Sequence, residues 1–178
     1  MAECNAAKTL DTAVLEEFGT DVMTGDRDKR RYLYYQLIHS MRKADRIDII
    51  VSFLMESGVK MLLEELKKAM KRGAQVRILT GNYLGITQPS ALYLIKHELG
   101  ELVDLRFYNE KNRSFHPKSY IFHYADHSEI YIGSSNISRS ALTSGIEWNY
   151  RFSSQRDPEN YEKFYRTFED LFQNHSVV

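Results

Sequence analysis

Between residues 31 and 108, segments with hydrophobic residues at helical spacing alternate with short hydrophobic runs that are typical of strands. Leu33, Leu37, Ile38 and Met41 recur at helical intervals, whereas the run RIDIIVSFL over residues 46–54 is typical of a buried strand. The alternation continues and predicts helices over 31–44, 56–72 and 89–97, and strands over 46–54, 75–79 and 102–108. Strands that alternate with helices in this way favour parallel pairing through crossover helices.

The pattern changes after residue 115. Residues 118–123 and 129–132 predict two strands joined by the loop 124–128, and 158–172 predict an aromatic-rich closing helix. A further strand is predicted over 146–152, with a core face of Ile146, Trp148, Tyr150 and Phe152 and an opposite face of Glu147, Asn149 and Arg151. We therefore expect an α/β fold, with helices on both faces of a mixed, mostly parallel β-sheet.

The length of 178 residues is enough for one domain with a substantial core. We assign this domain to residues 29–178. Residues 1–28 are expected to form an irregular lead-in, with a short helix over 9–18. A hydrophobic content of 43% and a charged content of 27% are ordinary for a globular protein.

A His and a Lys stand two residues apart where the second pattern begins. On a strand, residues i and i+2 point to the same face, so His116 and Lys118 would present an imidazole and an ammonium side by side. Pro117 between them has no N–H to donate, which places the start or the edge of a strand here. This pair is a candidate for chemistry on an anion.

The turn Gly133-Ser134-Ser135-Asn136 follows a predicted strand and precedes a predicted short helix over 137–142. A Ser- and Asn-rich turn that opens a helix collects free N–H groups and the positive end of the helix dipole. We therefore expect Ser134, Ser135 and Asn136 to bind phosphate together with Lys118. Glu147 supplies a carboxylate nearby, and the flanking cations Lys111, Arg113 and Arg139 are candidate substrate contacts. The combination indicates phosphoryl chemistry.

These residues resemble the phospholipase D superfamily of phosphodiesterases, in which an HxK motif is followed by a GSxN-type turn. Here the motif is His116, Lys118, Gly133, Ser134 and Asn136, and it occurs once in the chain. The family has an Asp five positions after the Lys, where this sequence has His123. The remaining spacing, with Asn136 and then Glu147 after the His, is similar to that of metal-independent restriction endonucleases. It also resembles the single-motif nuclease-like domains that are fused to helicases.

The resemblance implies a phospholipase D-like fold and a metal-independent nuclease that needs no cofactor and no metal. His116 would form a phosphohistidine, Lys118, Ser134 and Asn136 would bind the phosphate oxygens, and Glu147 would fix the imidazole tautomer. A single motif per chain implies a homodimer in which two copies of His116 share one site. The expected partner is nucleic acid, with DNA favoured over RNA, and the domain could be cut from a longer protein with an attached helicase or ATPase region.

Three other functions compete with this hypothesis. A non-catalytic DNA-binding or regulatory domain of a larger helicase would explain the replaced Asp. A phospholipid hydrolase would use the same groups but would need an apolar rim, for which the sequence shows no suited loop. A serine acyl transferase at Ser134 or Ser135 lacks the G-x-S-x-G elbow. A metal site of His116, His123 and His127 has poor geometry on a strand and a turn.

Composition limits the binding partners and the cellular compartment that we expect for the protein. Lys plus Arg equals Asp plus Glu at 24 each, so no overall basic charge attracts nucleic acid, and any positive field must be local. The single cysteine, Cys4, excludes an internal disulfide and fits a reducing compartment. No membrane-spanning stretch or signal-peptide pattern is present, so we expect a cytoplasmic protein without a membrane partner.

Overall fold

A computed structural model describes residues 20–26 and 31–178. The strands are β1 (Val22–Met23), β2 (Arg46–Val51), β3 (Gln75–Thr80), β4 (Val103–Tyr108), β5 (Lys118–His123), β6 (Ser128–Gly133), β7 (Asn149–Ser153) and β8 (Ser176–Val177). The helices are α1 (Leu33–Met41), α2 (Glu56–Lys71), α3 (Pro89–Leu99), α4 (Arg139–Thr143) and α5 (Pro158–Asn174). The predicted helix over 9–18 lies outside the described residues. Within the predicted lead-in, β1 pairs with β7.

The eight strands form one sheet in the order β1-β7-β6-β5-β2-β3-β4-β8. Within the described residues, β2 pairs in parallel with β3, and β3 with β4. The other five neighbouring pairs are antiparallel. The predicted mixed sheet is confirmed, but the expectation that it is mostly parallel is wrong. The loop between β5 and β6 is too short for a crossover helix and joins antiparallel neighbours, and β5 also pairs antiparallel with β2.

Helices cover both faces of the sheet, as the α/β prediction required. On one face, apolar residues of α1, α2 and α3 pack against strand residues such as Ile49, Ile78 and Phe122 in the larger core. On the other face, α5 packs Phe168 and Phe172 against a smaller core. The sheet therefore lies between a layer of several helices and a layer formed by α5.

Strand β7 buries polar side chains that the prediction placed on the face away from the core. Asn149 and Arg151 are buried, whereas Tyr150 and the preceding Ile146 and Trp148 are 49%, 85% and 72% exposed. Arg151 is buried together with its partners, because it forms ion pairs with Glu129 at 3.4 Å and with Asp21 at 3.2 Å. The predicted core face is therefore confirmed for Phe152, which packs in the smaller core, and wrong for Ile146, Trp148 and Tyr150.

The ends of β2 and β3 and the start of β5 meet at one edge of the sheet. Val51 at the end of β2 lies opposite Thr80 at the end of parallel β3 and opposite Lys118 at the start of antiparallel β5. Loops that leave β2 and β3 therefore meet the segment that enters β5. This is the edge on which parallel-stranded α/β sheets usually bind ligands.

Candidate active site

Lys118 opens β5 and is nearly buried, with its ammonium turned back along the chain. Its Nζ donates a hydrogen bond to the carbonyl oxygen of His116 at 2.9 Å. Burial lowers the pKa of Lys118, and the negative charge of Glu147 opposes that decrease. The HxK pair thus shares one hydrogen-bonded loop, with Glu147 close enough to act on it electrostatically.

The His116 side chain is exposed and lies against an aromatic ring. Its imidazole contacts Tyr83 with ring centroids 4.3 Å apart and an interplanar angle of 49°. Partial burial and then the positive charge of Lys118 lower the pKa of His116. The lowered pKa favours the neutral imidazole, which is the form that can attack phosphorus.

Asn136 joins the site to β2 through its side-chain amide. Its Oδ1 accepts hydrogen bonds from the backbone N–H groups of Ser52 at 2.9 Å and Phe53 at 3.2 Å. The hydroxyl of Ser52 in turn donates to the carbonyl oxygen of Pro117 at 3.2 Å. Because two N–H donors fix Oδ1, the amide has a defined orientation in which Nδ2 points away from them. Asn136 therefore lies one strand from the HxK segment.

Ser134 and Glu147 form the other side of the site. The Ser134 hydroxyl donates to Glu147 Oε2 and accepts a hydrogen bond from the backbone N–H of Trp148 at 3.1 Å. Gly133 allows this close approach, because a Cβ there would lie 2.1 Å from the carbonyl oxygen of Trp148. Glu147 was expected to hold the imidazole of His116. Among the described residues it hydrogen-bonds Ser134 instead, and its charge reaches Lys118.

Two expectations for the serine turn are wrong. Ser135 is fully buried, and its hydroxyl donates to the Ala141 carbonyl at 3.3 Å and accepts from Asn149 Nδ2 at 2.9 Å. It therefore supports the loop and does not face a phosphate. The helix that follows begins at Arg139, and its N-cap is Ser138, whose Oγ accepts from the Ala141 N–H at 3.2 Å. The turn does not itself form a helix N-terminus.

The predicted flanking cations have different positions relative to the site. Arg113 lines a hollow that also includes Tyr83, the neighbour of His116. Arg139 is exposed at the start of α4, where its backbone N–H donates to the Ser57 hydroxyl at 3.4 Å. Lys111 is exposed in the loop between β4 and β5. The structure thus connects Arg113 to the site through Tyr83 and leaves Lys111 and Arg139 on the surrounding surface.

His123, which replaces the Asp of the family pattern, lies at the other end of β5. It is five residues beyond Lys118, or about 17 Å at roughly 3.3 Å per residue. Its Nε2 is 2.8 Å from Asp48 Oδ2, and its Nδ1 is 3.0 Å from the Ser128 hydroxyl. The position therefore belongs to a polar network under α5, away from the HxK pair.

The three-histidine metal site is not formed. His127 is held by Asp126, with Nδ1 and Oδ1 2.8 Å apart. Across residues 20–26 and 31–178, no group of three or more His, Cys, Asp or Glu side chains is arranged to hold a metal ion.

Two contributors to the site were not identified from the sequence. Tyr83 follows β3 and Ser52 follows β2, so both lie where parallel strands end. That position was the available signal, because loops after neighbouring parallel strands meet at one edge. Neither residue belongs to the HxK or GSxN motif.

Apolar surface adjoins the motif residues. A cavity of about 330 Å³ between the sheet and α5 is lined by His116, Lys118 and apolar residues that include Ile132, Phe164 and Leu171. Ile146 and Trp148 flank Glu147 and are exposed. The expectation that no loop offers an apolar rim is therefore wrong.

Comparisons with known proteins identify the family and the fold. The family model described as "Cardiolipin synthase, PLD-like domain" matches residues 35–175. The chain belongs to the phospholipase D-like family. Among the described residues, no helix combines the length and apolar character needed to cross a bilayer. No curated protein matches the chain in sequence.

Solved structures show the same fold at low sequence identity. Nuc from Salmonella typhimurium, a phospholipase D family member, is similar with a TM-score of 0.63 and 19% identity over 88% of this chain and 94% of that chain. NucT from Helicobacter pylori is similar with a TM-score of 0.66 and 16% identity over 88% and 97%. TrmBL2, an archaeal chromatin protein with a described mode of DNA binding, is similar with a TM-score of 0.57 and 14% identity over 94% of this chain and 61% of that chain. The phospholipase D-like fold expected from the motif is confirmed.

Proposed function

We propose that this protein is a phosphodiesterase, and most specifically a metal-independent nuclease that uses His116 as its nucleophile. The observation that carries the proposal is the pairing of an exposed imidazole of lowered pKa with the buried ammonium of Lys118. The neutral ring is free to attack, and the ammonium is already placed beside the reacting segment. Membership of the phospholipase D-like family supports the same chemistry.

The reaction proceeds in two displacements. An imidazole nitrogen of His116 attacks phosphorus, the P–O bond to the leaving oxygen breaks, and a proton from an acid completes the leaving hydroxyl. Water then attacks the phosphohistidine, gives up a proton to the same group, and releases the phosphate monoester and free His116. Lys118, Ser134 and the Nδ2 group of Asn136 bind the non-bridging oxygens as their charge increases. Glu147 holds the Ser134 hydroxyl and partly neutralises Lys118.

The acid and base of this scheme require a second histidine. The chain carries one HxK motif, so we place a second copy of His116 across a two-fold homodimer, where each ring faces one shared site. The exposure of His116 on the monomer surface fits such an arrangement. Mixing wild-type chains with an equal amount of His116→Ala chains should then give, after exchange, about one quarter of the activity of the same total amount of wild-type protein. Retention of about one half would contradict a shared site.

Nucleic acid is the proposed substrate, with DNA favoured over RNA. The intervals from His116 to Asn136 and Glu147 resemble those of nucleases in the superfamily, and the fold is shared with TrmBL2, a protein described as binding DNA. Arg113 and the exposed cations Lys111 and Arg139 would provide local positive charge in a chain with none overall. An attached helicase or ATPase region would deliver the strand.

Two alternatives have specific support. The fold shared with TrmBL2 fits a DNA-binding domain without catalysis in a larger protein. The apolar cavity beside Lys118 and the exposed Ile146 and Trp148 fit a phospholipid hydrolase. In that case His116 and Lys118 would keep their roles, and the apolar surface would receive acyl chains.

A cleavage assay in excess chelator separates these possibilities. Wild-type protein should cut single- or double-stranded DNA in EDTA, and His116→Ala should lose at least about a thousandfold in rate while keeping its DNA affinity. Tyr93→Leu, an exposed change on α3, is the matched control and should behave as wild type. DNA binding without cleavage in either protein would favour the non-catalytic domain. Hydrolysis of phosphatidylglycerol vesicles without DNA cleavage would favour the lipid enzyme.

A further inference from the structure

A hollow of about 310 Å³ lies beside the ring that contacts His116. It is formed by the loop after β3 and the loop between β4 and β5, and its lining includes Asn82, Tyr83, Leu84, Tyr108, Arg113 and Phe115. The proposed phosphoryl chemistry uses none of these side chains except Arg113 as a flanking cation. Tyr83 belongs both to this hollow and to the surroundings of His116.

Aromatic rings make up much of the wall. Tyr108 and Phe115 stack with centroids 4.4 Å apart and an interplanar angle of 21°. Phe115 approaches the end of β3 so closely that a Cβ at Gly81 would lie 2.7 Å from its ring. The residue before His116 is thus anchored in the wall of the hollow, and Tyr83, which lines the hollow, contacts the His116 ring.

Arg113 provides the cation of the hollow, whose lining also includes the polar residues Asn82, Glu110 and Ser114. Within residues 20–26 and 31–178 its guanidinium forms no hydrogen bond or ion pair, and the side chain is exposed. The nearby carboxylate of Glu110 is already engaged, because it accepts from the Tyr108 hydroxyl at 3.3 Å and contacts His175. The hollow therefore combines flat aromatic surface with an available cation.

The turn at the mouth of the hollow has an unusual backbone. Leu84 has a φ of +53°, which makes it the non-glycine residue with positive φ in the described part of the chain, and its side chain is 78% exposed. A leucine rarely adopts this conformation, and burial of its own side chain does not explain it. Strained backbone of this kind concentrates at ligand-binding sites.

We propose that this hollow binds the nucleobase of the nucleotide next to the scissile phosphate, in a single-stranded substrate. The inference rests on the proposed function and names its substrate class. A base that stacks on the aromatic wall leaves its phosphate beside Tyr83 and His116, with Arg113 on the backbone. A base inside a duplex is already paired and stacked, so it cannot enter without being extruded. A quaternary ammonium headgroup, as in some phospholipids, is a poorer ligand for the hollow because the positive charge of Arg113 would repel it.

The test compares two strands of equal charge. The probes are a six-nucleotide oligothymidylate and a six-unit strand in which every base is replaced by an abasic tetrahydrofuran, and binding is measured on His116→Asn protein so that nothing is cleaved. We expect the base-containing strand to bind at least about tenfold more tightly, the factor that one stacked base provides. A duplex of the same length should bind more weakly than the single strand.

Substitutions of residues that line the hollow test whether the preference for the base-containing strand arises there. Tyr83→Leu should remove most of the difference between the two strands, whereas Tyr83→Phe and the exposed control Tyr93→Leu should keep it. Arg113→Gln, an exposed change that leaves the fold intact, should weaken both strands by a similar factor because it removes a phosphate contact.

Equal affinity for the two strands, or a preference that survives Tyr83→Leu, overturns the base subsite. Binding to phosphatidylglycerol vesicles without binding to either strand overturns it as well. If the wild-type protein does not cleave DNA, the proposed nuclease function is wrong, but the measured preference for the base-containing strand still supports a base-binding site. Cleavage without base preference overturns the subsite and leaves the nuclease standing. The two proposals therefore fail separately.

Discussion

Asn136 fixes the end of β2 by accepting hydrogen bonds at its Oδ1 from the backbone N–H of Ser52 at 2.9 Å and that of Phe53 at 3.2 Å. The residue named by the GSxN motif is thus a structural link as well as a candidate ligand of phosphate. Oδ1 organises the loop, and we propose that Nδ2 binds an oxygen of the substrate.

Two substitutions at Asn136 separate these tasks. Asn136→Asp keeps the acceptor for Ser52 and Phe53 but replaces the donor with a negative charge, so we expect a folded protein whose kcat falls by about 10²–10³. Asn136→Ala also leaves two backbone N–H groups without their acceptor and should cost a further ~1–3 kcal/mol of unfolding free energy. Urea unfolding and cleavage assays on both variants measure the two effects. Equal kcat in wild type and Asn136→Asp would exclude Nδ2 from the reaction.

Restoring the family Asp at position 123 should not improve the enzyme. Burial opposes the ionisation of Asp48, but hydrogen bonds from Arg77 and His123 outweigh it and lower the pKa of Asp48. His123→Asp would remove one of these partners and place a second carboxylate beside a fully buried one. We expect a loss of about 3 kcal/mol in unfolding free energy with no gain in kcat.

His123→Asn is the matched control, because it removes the imidazole without adding charge. It should destabilise the protein less than His123→Asp. A rise in activity in the Asp variant would show that this end of β5 communicates with the HxK pair after all.

In the proposed mechanism, the ionisation of His116 sets the acid limb of the pH profile. Partial burial of the ring and the charge of Lys118 both disfavour the imidazolium, so the pKa of His116 lies below the ordinary value of about 6.5. The attacking form is the neutral ring, so the acid limb of kcat/KM should lie at this lowered pKa, whereas the second copy of His116, which must be protonated to act as the acid, should set the basic limb.

NMR titration of the His116 ring in the free protein measures this pKa directly. Lys118→Gln should raise it towards the ordinary value by removing the positive charge, while the shift caused by burial remains. Glu147→Gln should lower it or leave it unchanged, since a nearby negative charge favours imidazolium. A pKa above 6.5 in the wild type would contradict the proposed resting state.

Much of the fold could be predicted from the sequence because its signals are local. Side-chain periodicity predicts the alternation of β2, α2, β3, α3 and β4 and also the closing helix. The HxK motif is read directly from the sequence. Strand direction was less accessible, since periodicity does not say whether β5 runs parallel or antiparallel to β2. The predicted mostly parallel sheet was wrong for that reason.

The remaining errors arise from contacts between distant residues. Arg151 is buried because Glu129 and Asp21 reach it from other strands and loops, so the hydrophobic alternation placed Phe152 correctly but missed the burial of Arg151. Ser135 likewise turns inward to Asn149 and Ala141, whereas its neighbour Ser134 meets Glu147 at the surface. Adjacent serines in one motif carry no signal that distinguishes these two environments.

The most direct test of the account is to capture the covalent intermediate. Protein mixed in EDTA with single-stranded DNA carrying ³²P at its internal phosphodiesters is quenched in denaturant at alkaline pH, where phosphohistidine survives, and the labelled peptide is mapped. The account predicts acid-labile label on His116 and none in His116→Ala. Cleavage that stops in EDTA, resumes with Mg²⁺ and leaves the protein unlabelled would contradict it.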